Sequence, residues 1–262
     1  MGNEIEIIKI IAYFIIYSFL GWVMESVLKT YLQKKPVNSG FLYGPLCPIY
    51  GFGAMIMLLF LQGFKEKPIL LFIISVIILS IWEYIVGWLL EKIFHTKYWD
   101  YTQNKFNIKG RICLMNSLFW GVLGVIFIRY MHPFFISIIN EIPKKLLVFV
   151  TILFSISAII DSIITIIRVC NLKDKLEHLK EITNTIKEKL EELNTKSITK
   201  VNKENLQKVI EELKHKQTKL KRRLLKQTNR LKKAFPTIKS DAIEKLNEFL
   251  KDKKENMKKG KN

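Results

Sequence analysis

The chain has 262 residues, 49% of them hydrophobic, with 42 Lys/Arg against 23 Asp/Glu for a formal net charge of +19, a size that admits one or two domains. Charge and hydrophobicity are segregated: residues 171–262 hold 27 Lys/Arg and 14 Asp/Glu, a surplus of 13, leaving +6 for the first 170. This excludes a single water-soluble globular domain and predicts a transmembrane domain over 1–170 followed by a basic helical tail over 171–262.

A bilayer core takes about 20 apolar residues per helix. Five segments approach that length, roughly 7–28, 49–64, 68–90, 112–131 and 146–168. The first carries Glu4 and Glu6 where a signal peptide would be basic, and no small-residue cleavage site precedes Trp22, so it reads as a retained helix. Lys/Arg near the helix ends set orientation. Lys29, Lys34 and Lys35, then Lys92, Lys97, Lys105, Lys109 and Arg111, fall on the same side as the tail. Fewer fall opposite, which predicts the N-terminus outside and the tail in the cytoplasm. The expected fold class is therefore all-α: a polytopic bundle of about five transmembrane helices, then a cytoplasmic helical, coiled-coil tail.

The first helix ends in Gly21-Trp22-Val23-Met24-Glu25 and the third in Gly87-Trp88-Leu89-Leu90-Glu91. Each is followed by a loop with an Asn before a Gly, Asn38 and Gly40 in one, Asn107 and Gly110 in the other. Leu42 then matches Ile112, and Tyr50-Gly51 matches Trp120-Gly121. Residues 7–64 and 72–131 thus read as two copies of helix, loop, helix, a parallel repeat about the membrane normal. Glu83 shares a helix face with Gly87 and Glu91, and its counterpart in the first copy is Tyr17. Acids here should face the bundle, since an ionised carboxylate facing lipid costs several kcal/mol, roughly 2.5–3.5 on insertion scales.

The first loop, "VNSGFLYGPLCPIYGFG" over 37–53, packs Gly40, Gly44, Pro45, Pro48 and Gly51 among large aromatics. Two readings stand: a re-entrant or broken-helix element buried in protein, or a tight interfacial turn. The second loop, "HTKYWDYTQNKFNIKGRIC", gathers Trp99, Asp100, Tyr101 and Arg111 near Glu91. Arg111 is expected to pair with Asp100 or a glutamate, either as part of a polar mouth or as a structural lock. In the fifth helix Ser157, Asp161, Thr165 and Arg168 share a face, and Asp161 reads either as a functional charge or as a hydrogen bond to Asn116 or Ser117.

Three cysteines and four histidines show no metal-ligand spacing and no CxxC, so no metal, disulfide or cofactor is expected. With no recognisable nucleophile either, an enzyme is not expected. The motifs "SFLGWVMES", "NSGFLYGPLCPIYGFGA" and "EYIVGWLLEKIFHTKYWDYTQNKFNIKGRICL" closely resemble the bacterial ABC-transporter type IV, or CmpB-like, membrane proteins over about residues 11–135. Members of that family usually show NRG where this chain has Asn38-Ser39-Gly40, and WWDY where it has Tyr98-Trp99-Asp100-Tyr101. The resemblance implies a multi-pass permease in a bacterial cell membrane. The sequence holds no GxxxxGK[ST], so the ATPase of such a system would be a separate subunit.

In the tail, Leu172, Leu176, Leu179, Thr183, Ile186, Leu190 and Leu193 form one heptad seam; Leu206, Ile210, Leu213, Gln217, Leu220, Leu224, Gln227 and Leu231 form another. The break around "NTKSITKVN" predicts a hairpin or an oligomerising coiled coil, with Thr183, Gln217 and Gln227 registering the seam. A shorter helix is expected near 241–257. The basic run over 214–233 fits anionic lipid or an acidic protein partner; nucleic acid is disfavoured because no base-stacking aromatics are interleaved. The candidate polar residues are thus Glu25, Glu83, Glu91, Asp100, Arg111 and Asp161, in a transporter-like membrane component. The alternative is a membrane-anchored scaffold or regulator acting through its tail.

Overall fold

Among the described residues of the computed structural model, four helices are long and apolar enough to cross a bilayer: Glu4–Gln33, Pro68–Phe94, Leu114–Glu141 and Lys144–Cys170. The structure describes residues 2–194 and 200–259. The elements are α1 (Gly2–Gln33), α2 (Pro48–Leu61), α3 (Pro68–Phe94), α4 (Leu114–Ile126), α5 (His132–Glu141), α6 (Lys144–Cys170), α7 (Leu172–Asn194), α8 (Lys200–Ala234) and α9 (Asp241–Lys259). Strands are confined to two-residue pieces, so the class is all-α.

The second expected span is shorter than the other four. With a 3₁₀ turn added it runs only Pro48–Phe64, roughly 26 Å at 1.5 Å per residue against a core of about 30 Å. Pro48 starts it, because proline suits the first helical position. The preceding residues lie extended along α1 instead of continuing the helix. Val37 N–H donates to Thr30 Oγ1 (3.0 Å), Ser39 N–H to Ser26 Oγ (3.1 Å) and Cys47 N–H to the Ser18 carbonyl (2.9 Å). From Thr30 to Ser18 is about 18 Å of helix. Val37, Ser39, Leu42 and Cys47 are buried, so this non-helical backbone finds its hydrogen bonds within the protein. Gly40, at φ +93°, occupies a conformation that favours glycine.

The fourth span is longer than the sequence suggests. Pro133 lies inside it, where a proline removes an N–H and crowds the carbonyl of residue 129. A π-helical turn, Phe127–Met131, widens the helix there and lets α4 continue into α5. His132 beside it is buried and hydrogen-bonded to the Tyr17 hydroxyl (2.7 Å).

The chain divides into two units. One holds the residues up to Ile166 together with Lys233–Lys239; the other holds Ile167–Lys232 and the chain from Ser240 on. In the first unit α1 packs on α2, and α3 on α4. The contact registers of the two pairs differ. Gly51 meets Ser18 and Phe14 of α1, while Gly121 meets Phe72 and Val76 of α3. A faithful second copy would set Gly121 against Tyr84, so the second pair has slid by more than two turns, roughly 12–15 Å. The apolar first loop follows α1 down to Ser18. The second loop carries Lys97, Asp100 and Arg111, whose burial at that depth would be costly, and it stays at the end of α3. There Asn107–Ile108 pairs antiparallel with Ile112–Cys113.

In the second unit α7 and α8 run antiparallel. Gln217 Nε2 donates to Thr183 Oγ1 (2.5 Å), and Gln227 Nε2 donates to the Arg168 carbonyl (2.7 Å), so the three polar seam positions set the register. Leu172, Leu176, Leu179 and Ile186 are buried on α7, and Ile210, Leu224 and Leu231 on α8. Ile243 and Leu246 of α9 are buried too, on a helix that contacts α7. The expected hinge at 195–199 lies outside the described residues.

Candidate functional site

The buried stripe of α3 steps Leu71, Ser75, Leu79, Ser80, Glu83 and Gly87, the three- and four-residue spacing of one helix face. Ser80 Oγ donates to Ser117 Oγ (2.7 Å), fixing α3 against α4. One turn along, Glu83 is 3% exposed. Its Oε1 accepts from the Tyr101 hydroxyl (3.2 Å) and Asn116 Nδ2 (3.0 Å), and its Oε2 from Trp120 Nε1 (2.9 Å). All three donors are neutral. Burial, and after it the Glu83 carboxylate, raises the Tyr101 phenol well above its ordinary range, which keeps it a donor.

Glu25 lives differently. It forms an ion pair with Lys29, one turn further along α1, and accepts from Ser39 Oγ (2.8 Å) and the Tyr50 hydroxyl (2.9 Å). The resemblance implies an arginine at position 39. Here Ser39 supplies a hydroxyl, and Lys29 brings the positive charge from within the helix, an i,i+4 pair.

The remaining candidates brace loops. Arg111 Nε and Nη2 both donate to Glu91 Oε2 (3.1 and 2.8 Å) and Nη1 donates to the Tyr84 hydroxyl (3.0 Å); its partner is Glu91 and not Asp100. Asp100 instead receives Lys97 (2.8 Å) and Lys239 (2.5 Å), with Thr102 beside them. Burial opposes its ionisation, but the hydrogen bonds from Lys239, Lys97 and Thr102 outweigh it and hold the carboxyl below its ordinary range. Gly110 makes this approach feasible, since a Cβ there would collide with the Asp100 carboxylate. Asp161 does not reach Asn116 or Ser117. It accepts the backbone N–H of Tyr43 (3.2 Å) and Gly44 (2.7 Å) and the Thr165 hydroxyl (3.4 Å), tying α6 to the first loop. Asn38 and Asn107 hold their loops from within: Trp22 Nε1 donates to Asn38 Oδ1 (2.6 Å), and Gly110 N–H donates to Asn107 Oδ1 (3.0 Å). Trp99 Nε1 donates to the Arg111 carbonyl (2.8 Å), next to Gly87. Trp88 lies under Lys92 (5.0 Å to the ring centroid), at a half-exposed position on α3.

Between the helix pairs lies a cavity of about 960 Å³, near the upper end of the 300–1,000 Å³ common for small-molecule sites. Its walls are mostly apolar and aromatic, with Tyr50, Phe52, Phe72, Trp82, Phe119 and Trp120 among them. Of the six candidates, Glu25 and Glu83 line it; Glu91, Asp100, Arg111 and Asp161 do not. Among the described residues, Lys29 is the single Lys or Arg on the wall.

A strap that the sequence does not announce closes one side of the cavity. Phe235, Pro236 and Thr237 line it. Gln33 Nε2 donates to the Lys233 carbonyl (3.0 Å) and Lys29 Nζ to the Ala234 carbonyl (2.7 Å). The Phe235 ring packs edge-on against Tyr98 (5.0 Å), Asp100 N–H donates to Thr237 Oγ1 (3.1 Å), and Lys239 ends the strap on Asp100. The i,i+4 spacing of Glu25 and Lys29 was a readable signal of one tie. The others, like Tyr17 and His132, join residues more than a hundred positions apart, for which one sequence holds no sign.

The family model described as "Putative ABC-transporter type IV" matches residues 12–166, more than half of the chain. The chain belongs to that family. The matched span covers α1 to most of α6, and so every helix around the cavity. With four membrane-capable helices and this family, the chain is an integral membrane protein of a transporter-like family. No match was found among the curated proteins or among the solved structures.

Proposed function

We propose that this member of the ABC-transporter type IV family is the membrane-embedded, permease-like component of a bacterial transport system, energised by a separate ATPase subunit. The observation that carries this reading is the cavity of about 960 Å³ between the two helix pairs, large enough for a drug-sized solute and lined by two carboxylates from different helices. Polar side chains that face a cavity within a membrane bundle mark substrate pathways by default. The family supports a bacterial cell membrane location, and the Lys/Arg asymmetry supports an N-terminus outside and a tail in the cytoplasm, where an ATPase would work. The chain need not be an enzyme for this role. The tail is a place for a second copy, an acidic protein or anionic lipid to bind, through the basic face over 214–233.

The test is recovery of the full-length chain from membranes after gentle non-ionic solubilisation. A P-loop ATPase is expected in the complex, with ATP hydrolysis that responds to cavity-filling substitution such as Val86→Trp. Recovery of soluble partners alone, retained by the tail and lost on deleting 171–262, would overturn it in favour of a membrane-anchored scaffold.

A further inference from the structure

We propose that the cavity binds a bulky organic cation of single charge, with Glu83 as its counter-charge; this rests on the reading of the cavity as the substrate site. Three observations converge. Among the described residues the wall carries two carboxylates, Glu25 and Glu83, and one ammonium, Lys29, so it is one positive charge short of neutrality. Lys29 is already committed to Glu25. The missing charge therefore belongs beside Glu83, whose three partners are the neutral donors Tyr101, Asn116 and Trp120. An ionised carboxylate buried to 3% exposure without a cation is costly, and one in place repays much of that cost.

The rest of the wall fits the same ligand. Tyr50, Trp82, Phe119 and Trp120 all contribute to it. Aromatic faces attract organic cations through the ring quadrupole, the more so once water is excluded. Trp120 is both a ring on the wall and a donor to Glu83, so the aromatic and acidic features are one construction. Tyr50 repeats the arrangement on Glu25, its ring 5.6 Å from that of Trp120. The other classes fit less well. An anion would face two carboxylates. A neutral apolar solute would leave the charge deficit standing. A small metal cation takes about six oxygen ligands or more and would leave most of the cavity empty.

The test titrates the purified full-length chain, in a non-ionic detergent without choline groups, with tetraphenylphosphonium and separately with tetraphenylborate, an anion of the same shape. Quenching of tryptophan fluorescence reports occupancy, since Trp82 and Trp120 are on the wall. Saturable binding of the cation, at least tenfold tighter than the anion, is expected. Glu83→Gln should weaken the cation at least tenfold, while Glu91→Gln, away from the cavity, leaves it unchanged. Equal binding of the two ions, no saturable binding of the cation, or an unaltered Glu83→Gln protein would overturn the proposal. The comparison of the two ions on the unaltered chain stands even if Glu83→Gln fails to fold. An ATPase recovered with a chain that shows no preference for the cation would leave the transport reading in place and remove this one.

Discussion

The two helix pairs of the membrane unit carry the same GWxxE ending yet use it differently. In the pair α1–α2 the motif glutamate, Glu25, lines the cavity and is neutralised by Lys29. In the pair α3–α4 the motif glutamate, Glu91, locks Arg111 to the loop, and the cavity carboxylate is Glu83, two turns deeper on the same helix. The slide of one pair relative to the other explains the exchange. With α4 shifted along α3, Trp120 and Asn116 come level with Glu83, whereas in the first pair Tyr50 comes level with Glu25 and Gly21. Similar sequence, displaced by more than two turns, yields two carboxylate sites with different charge balance.

The largest effects should come from the glycines that allow each pair to close. Gly51→Val and Gly121→Val are each expected to cost about 1–3 kcal/mol or more by overpacking, read as loss of monodisperse protein or a fall in Tm in detergent. The register is sharpened by rescue. Phe72→Leu with Val76→Ala should restore Gly121→Ala, whereas Tyr84→Ala should not, because Gly121 touches the first two residues and not the third. Rescue by Tyr84→Ala would mean that the pairs superimpose after all.

Next in size are the carboxylates. Glu83→Ala takes the acceptor from Tyr101, Asn116 and Trp120, but Asn116 still donates to the Tyr101 hydroxyl (2.7 Å), so the loss is about 1–3 kcal/mol, that of one buried donor left unsatisfied. Glu25→Ala should cost less, because both Glu25 and Lys29 keep about a fifth to a quarter of their side-chain surface in solvent. Thermal unfolding of both variants under one condition checks the order, and a larger loss for Glu25→Ala would contradict it.

The strap comes third. Phe235→Ala removes the ring between Tyr98 and Lys29, and Asp100→Asn removes the anchor for Lys239. Both should speed tryptic cleavage at Lys233 and Lys239 several-fold with little change in Tm. Unchanged cleavage would mean that the strap is held by something other than these contacts.

The smallest expected effect is one of pH. Asp100 has its carboxyl depressed below the ordinary value of 3.8, so its tie to Lys239 is present throughout the range above that value. It is lost as pH falls below 3.8 through the lower value of the folded state. Hydrogen exchange over 233–239, corrected for intrinsic rates, should be flat from pH 8 to about 5 and should rise only in stronger acid. A rise near neutral pH would point to a different titrating group.

The sequence by itself determined the class and much of the plan. Runs of Ile, Leu, Phe and Val long enough for a bilayer dictate helices, because lipid leaves backbone groups no partner but their own chain. The heptad seams marked the tail as a hairpin or a coiled coil with polar seam positions, and the structure pairs Thr183 with Gln217 across an antiparallel hairpin. Glu25 and Glu83 were legible as charges too expensive to face lipid. Apart from Lys29, one turn from Glu25, their partners were not. Periodicity reports which face of a helix is buried, but it says nothing of how far one helix slides along another. Tertiary structure alone decided that slide. It thereby gave Glu25 the Tyr50 hydroxyl and Glu83 three neutral donors, and it sent Asp161 to the first loop. It also brought Phe235 to the cavity and Lys239 to Asp100, across a sequence separation that no local pattern spans.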